Sequence, residues 1–133
     1  MTKRTIDTRF FIQHFTADTK ELREKTRGLM RELEDESAYL PTIVIHELYK
    51  DQFETLGRDT AETRLNIIAQ SGFEIVELNI EIAKEAARQR CRHSTLPTAD
   101  AIIAATAIST RSFRVVTDDP HFKAIKEIKT EWV

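Results

Sequence analysis

One cysteine, three glycines and three prolines are spread over 133 residues, and no apolar run is long. Cys91 stands alone, so an internal disulfide is impossible and a cytoplasmic protein is the simplest reading. No stretch reaches the ~18 apolar residues a membrane helix needs, which leaves no membrane partner. The N-terminus lacks a long apolar core followed by a small-residue cleavage site, so no secretion signal is read there. Neither sign of charge dominates: 20 Lys+Arg against 22 Asp+Glu give a net charge of −2. A global field that gathers nucleic acid or anionic lipid is thereby excluded, and any such surface must be local. Repeats and low-complexity tracts are also missing. What remains, at 41% hydrophobic and 32% charged, is the composition of a globular protein. Residues 1–133 are read as a single domain, large enough to bury about two-thirds of the unfolded surface.

Strands alternate with helices along the whole chain. Thr5-Ile6-Asp7 reads as a very short strand that gives way to a buried helix over Thr8–Phe15. Residues 18–36 form an amphipathic helix carrying Leu22, Leu29, Met30 and Leu33. Ser37–Pro41 is a second strand, followed by a helix Ile43–Leu56 with Thr42 as its N-cap and Gly57 closing it. A charged helix from Thr60 to about Gln70 leads to a third, alternating strand over Phe73–Leu78. Asn79 caps the helix Ile80–Arg92, whose far end bears Arg88, Arg90, Arg92 and His93. That basic run fits either a solvated terminus favoured by the helix dipole or an edge that contacts phosphate. Phe113–Thr117 is a fourth strand, a short helix follows around Pro120–Glu127, and Glu131-Trp132-Val133 suits a last edge strand. The alternation predicts an α/β fold, a three-layer α/β/α sandwich on a mainly parallel sheet.

The helix Pro97–Ile108 organises the rest. After Asp100 it holds only small and aliphatic residues apart from Thr106, so it is buried on nearly all sides. Thr98 is read as its N-cap, and Asp100 lies in the first turn, where the helix dipole favours negative charge. Taken alone, Asp100 is no more than a well-placed acid. It has company, however. Asp7, which is equally suited to capping a helix, ends the first strand, and Asp118 and Asp119 end the fourth. Parallel strands share one carboxyl edge, where open α/β sheets place their ligands. Glu47 lies in the second turn of its helix, more sheltered than the solvent-facing Asp51 and Glu54, and can point at the same rim.

Carboxylates gathered within ~5 Å repel by roughly 3 kcal/mol per ionised pair at an effective dielectric near 20. Protons or cations must neutralise such a group. An all-oxygen site suits Mg²⁺ or Mn²⁺, and with them metal-activated water attacking a phosphodiester. Other chemistries lack a residue. His46-Glu47-Leu48-Tyr49-Lys50 has lysine where a zinc protease needs its second histidine, so His46 is read as packed or solvated. A dehalogenase-like phosphatase needs D-x-D after the first strand, whereas Asp7 is followed by Thr8-Arg9; a receiver domain needs an aspartate after the third strand, where Leu78-Asn79 has none.

Ile6-Asp7-Thr8, Glu47 after Pro41-Thr42, Leu96-Pro97-Thr98-Ala99-Asp100-Ala101 with its aliphatic continuation, and Val116-Thr117-Asp118-Asp119-Pro120-His121-Phe122 carry a resemblance that spans the chain. The sequence resembles the PIN-domain ribonucleases, most of all the VapC-type toxins of toxin–antitoxin pairs. The resemblance implies that Asp7, Glu47, Asp100 and Asp119 bind Mg²⁺ or Mn²⁺ for hydrolysis of RNA. Asp119 rather than Asp118 takes the third place of the family's T-x-D, with Thr8, Thr117 and Asp118 in support. It further implies a homodimer, and an antitoxin whose C-terminal segment lies over the helices at 18–36 and 43–56. Departures from the family pattern are Arg9 in place of a small polar residue, His93-Ser94-Thr95 in place of a glycine, and Asp118 as a fifth acid. Arg9, Lys50, Arg88 and Arg92 are the cations read as RNA contacts. The alternatives are a housekeeping PIN nuclease of RNA processing and a PIN-like module that binds RNA or protein without cutting; a missing acid would favour the latter, and all four are present.

Overall fold

A computed structural model describes residues 3–133. Its sheet has five strands, β1 (Thr5–Ile6), β2 (Tyr39–Pro41), β3 (Glu74–Val76), β4 (Arg114–Val116) and β5 (Lys129–Glu131). They run in the order β3-β2-β1-β4-β5, and every neighbouring pair is parallel. Six helices connect them: α1 (Thr8–Thr16), α2 (Lys20–Asp35), α3 (Thr42–Leu56), α4 (Arg58–Ala69), α5 (Ile80–Arg92) and α6 (Thr98–Ser109). The α/β/α architecture read from the alternation is the one observed.

Strand order locates the functional edge. From β1 the chain steps outward through α1–α2 to β2 and through α3–α4 to β3, then returns through α5–α6 to β4 on the other side of β1. Strand order therefore reverses between β1 and β4, the position at which such sheets open a crevice beyond their carboxyl ends. Helix α6 packs on α5 and lies along β1, β2 and β4. Ala101, Ala104, Ala105 and Ala107 are fully buried there, their small side chains letting the helix approach the sheet. Ile6, Leu40, Val115 and Val116 of the strands, Phe10 and Phe11 of α1 and Ile103 of α6 complete the centre of the core. Ile102 and Ile108 are only partly covered.

Local signals shift in several places. Pro41 and Pro97 occupy the N-cap positions of α3 and α6, with ψ of 141° and 150°, while Thr42 and Thr98 are the first helical residues. Proline takes the extended N-cap conformation readily, and neither helix has a side-chain cap; the Thr42 hydroxyl instead accepts from the backbone N–H of Leu78 at 3.3 Å. Gly57, at φ +89°, ends α3 and also starts α4, so that helix begins at Arg58 rather than Thr60. β3 shrinks to three residues because it is an edge strand, with Ile75 42% exposed. The helix expected over Pro120–Glu127 is one 3₁₀ turn, Pro120–Ala124, and the last strand ends at Glu131, leaving Trp132 to pack edge-on against Phe10. Among the described residues no helix is long and apolar enough to cross a membrane.

Candidate active site

Asp7 follows β1 directly and is 2% exposed. It caps α1 and also bonds across the sheet. Its Oδ1 caps α1 by accepting from the Thr8 N–H at 2.9 Å, and its Oδ2 accepts from the Thr117 hydroxyl at 2.6 Å, across from β4. Burial raises its pKa from 3.8 to about 6, helped by the charges of Glu47 and Asp119 and opposed by the two hydrogen bonds. The Thr8 hydroxyl donates to Glu47 Oε1 at 2.7 Å and so ties α1 to α3. Thr117 also accepts from the Asp119 N–H at 3.0 Å, so one hydroxyl organises two acids.

Asp119 opens the 3₁₀ turn, its Oδ1 accepting from the backbone N–H of His121 at 2.9 Å. The ring of His121 folds back beside it, Nδ1 lying 2.7 Å from the same oxygen. Across the crevice, Asp100 in the first turn of α6 places Oδ2 3.5 Å from that nitrogen. Asp100 Oδ2 is buried and has no hydrogen-bond partner. Burial, then the charges of Asp119 and Asp7, lift the Asp100 pKa to about 7. Burial works to raise Asp119 too, but the N–H and ring of His121 outweigh it and hold that carboxyl below its ordinary value. The two acids face one another, and they are pushed in opposite directions: Asp100 upward, chiefly by burial, and Asp119 downward by the N–H and ring of His121.

Asp7, Thr8, Glu47, Thr98, Asp100 and Asp119 line a cleft of about 720 Å³ between α1, α3 and the start of α6. Its outer wall adds Arg9, His46, Lys50, Asp51 and Glu54. The tightest group of ligand atoms among the described residues is Asp100, Asp119 and His121, all within 4.8 Å of one another. The sequence reading expected four acids in the closest cluster and overlooked His121. Asp7 and Glu47 stand around that group, Asp7 with both oxygens already accepting hydrogen bonds. Asp51, read as facing solvent, is half-buried and lines the cleft. Of the four cations, Arg9 and Lys50 reach the cleft wall; Arg88 and Arg92 are not among its lining residues and pair with Glu85 and Glu127. Arg9 grips Asp118 through two nitrogens, and Lys50 pairs with Glu54 one turn along α3.

An oxygen-rich pocket with a buried, unpartnered carboxylate oxygen fits a hard divalent cation, which would satisfy Asp100 Oδ2 and relieve the repulsion among the acids.

No curated protein sequence matches this chain significantly. Among solved structures, a chain of DNA-bound VapBC from Salmonella typhimurium superposes with a TM-score of 0.76 at 20% identity, covering 99% of this chain and 98% of that one. A chain of VapBC2 from Rickettsia felis, bound to a promoter DNA fragment, gives 0.75 at 17% identity with 96% of each chain covered. FitAcB from Neisseria gonorrhoeae gives 0.72 at 22% identity and 94% of each. At these identities the likeness establishes the fold. The sequence profile of the PIN domain matches residues 5–128, nearly the whole chain, and the protein belongs to the PIN-domain family.

Proposed function

We propose that this protein is a metal-dependent endoribonuclease and the toxin of a VapBC-type toxin–antitoxin pair. The observation that carries the reading is the convergence of Asp7, Glu47, Asp100 and Asp119 on one cleft at the reversal of strand order. Asp100 and Asp119 hold the cation, with Asp7 and Glu47 completing the acidic surround. Bound Mg²⁺ or Mn²⁺ supplies Lewis-acid activation of water and of the phosphodiester. The chain's residues set the geometry. Thr117 fixes Asp7 and Asp119 together, and Thr8 holds Glu47. Asp100 must release its proton to bind the cation, since its pKa near 7 leaves it partly protonated in the metal-free protein.

Substrate contact falls to cations, because the net charge of −2 attracts no polyanion by itself. Arg9 and Lys50 stand at the cleft wall, each held by a neighbouring acid that a phosphate can replace. Arg88 and Arg92, paired with Glu85 and Glu127 outside the cleft lining, are left to contact the flanking parts of a longer RNA. The solved neighbours described as VapBC complexes support an antitoxin partner. Phe53 and Leu56 on α3 and Ile67 on α4 stay exposed, which suits a protein partner, the antitoxin or the second copy of a homodimer.

The test is cleavage of labelled single-stranded RNA by purified protein with Mg²⁺ or Mn²⁺, then with EDTA. Cleavage that is lost in EDTA and restored by either ion is expected. Activity that survives EDTA, or that requires zinc, overturns the reading.

A further inference from the structure

We propose that His121 is a nitrogen ligand in this cation site, so that the centre holds Mn²⁺ in preference to Mg²⁺. The inference rests on the metal site proposed above and adds to it a residue outside the four acids. Asp119 is the N-cap of the 3₁₀ turn and Pro120 its first residue, so the third residue's N–H must meet the cap carboxylate. That bond pins the His121 backbone, and the ring lies toward the acids. Nδ1 then stands 2.7 Å from Asp119 Oδ1 and 3.5 Å from Asp100 Oδ2. In six-coordinate sites with ligands at 2.0–2.1 Å, adjacent donors lie roughly 3 Å apart. The two separations bracket that spacing.

A surface histidine that only caps its neighbour needs one acceptor. His121 Nδ1 faces two carboxylates, and the farther one carries the buried oxygen with no hydrogen-bond partner. A cation between the three atoms satisfies all of them. Its identity follows from the donor set: carboxylate and water suit Mg²⁺ and Mn²⁺ alike, whereas an imidazole nitrogen favours the transition ion.

The experiment titrates metal-free protein with Mn²⁺ and with Mg²⁺ and records pulsed EPR of the bound Mn²⁺. Wild type is expected to show ¹⁴N coupling and to prefer Mn²⁺. His121→Asn is expected to lose the coupling and on the order of tenfold in Mn²⁺ affinity, with Mg²⁺ affinity much less changed. His46, the histidine of the cleft lining, is the internal control, and the coupling must persist in His46→Asn. Mn²⁺ bound to wild type without ¹⁴N coupling overturns the inference and leaves the nuclease reading standing, as does a coupling lost in His46→Asn instead. Wild-type protein that binds neither ion overturns both. Thermal unfolding establishes that His121→Asn is folded; should it not be, the wild-type and His46→Asn spectra decide the question unaided.

Discussion

The hydroxyl of Thr117 bridges the ends of two neighbouring strands: it donates to the buried Oδ2 of Asp7 at 2.6 Å while accepting from the Asp119 backbone at 3.0 Å. Thr117→Val keeps the shape of the side chain and removes both bonds. It leaves a buried carboxylate oxygen without its donor, a loss worth about 1–3 kcal/mol. Urea unfolding should register that destabilisation together with a fall in RNA cleavage, and Thr117→Ser should recover most of both. Equal behaviour of the valine and serine variants would remove the hydroxyl from the account.

Asp100→Asn separates stability from function. It removes a charge that burial and two neighbouring acids disfavour. The metal-free variant should therefore melt higher than wild type above neutral pH, while RNA cleavage falls by orders of magnitude. Asp118→Asn should cost much less activity, because Asp118 pairs with Arg9 outside the tight group. A reversal of the two would place the third acid of the T-x-D motif at Asp118.

The raised carboxyls set a pH dependence. Asp7 at about 6 and Asp100 at about 7 keep protons in the folded protein that the unfolded chain releases near 3.8. Stability of the metal-free protein should thus decline as pH rises from about 4 to 7 and level off beyond, the slope coming from the extra protons of the folded state. Saturating Mn²⁺ should flatten or invert that slope, since a cation bound only by the folded form stabilises it most where the acids are ionised. Thermal melts across that range, with and without the ion, read both effects.

Lys50→Ala tests substrate contact. Lys50 lines the cleft and among the described residues has Glu54 as its salt-bridge partner, an exposed pair that contributes little to folding. Its removal should weaken RNA binding about equally across sequences and reduce the slope of log affinity against log salt by roughly 0.7 for single strands. An unchanged salt slope with a moved cleavage position would make Lys50 a reader of bases.

How much of this was legible in the sequence depended on the range of the interaction. Asp7 and Asp100 were legible because strand ends and first helical turns are local features, and the parallel sheet brings strand ends to one rim. The sandwich followed from alternation alone. His121 was not seen, although Asp119-Pro120-His121 contains the signal: a cap, a first-turn proline, and a third residue returned to the cap. Asp51 was assigned to solvent from its helix face, but the cleft wall includes that face. Arg88 and Arg92 were read as RNA contacts but are not among the cleft's lining residues, since the direction in which α5 ends depends on its packing against α6.

The central claim is that water, activated at the acids, cuts the phosphodiester, and one substrate tests it directly. An RNA with a single 2′-deoxy sugar at the mapped cleavage position removes the neighbouring hydroxyl as a nucleophile and leaves attack by water intact. The protein should cut it at a rate close to that of the unmodified RNA with Mg²⁺ or Mn²⁺ present, and Asp119→Asn should cut neither. Protection by the deoxy sugar, or cleavage of the unmodified strand in EDTA, would contradict the account.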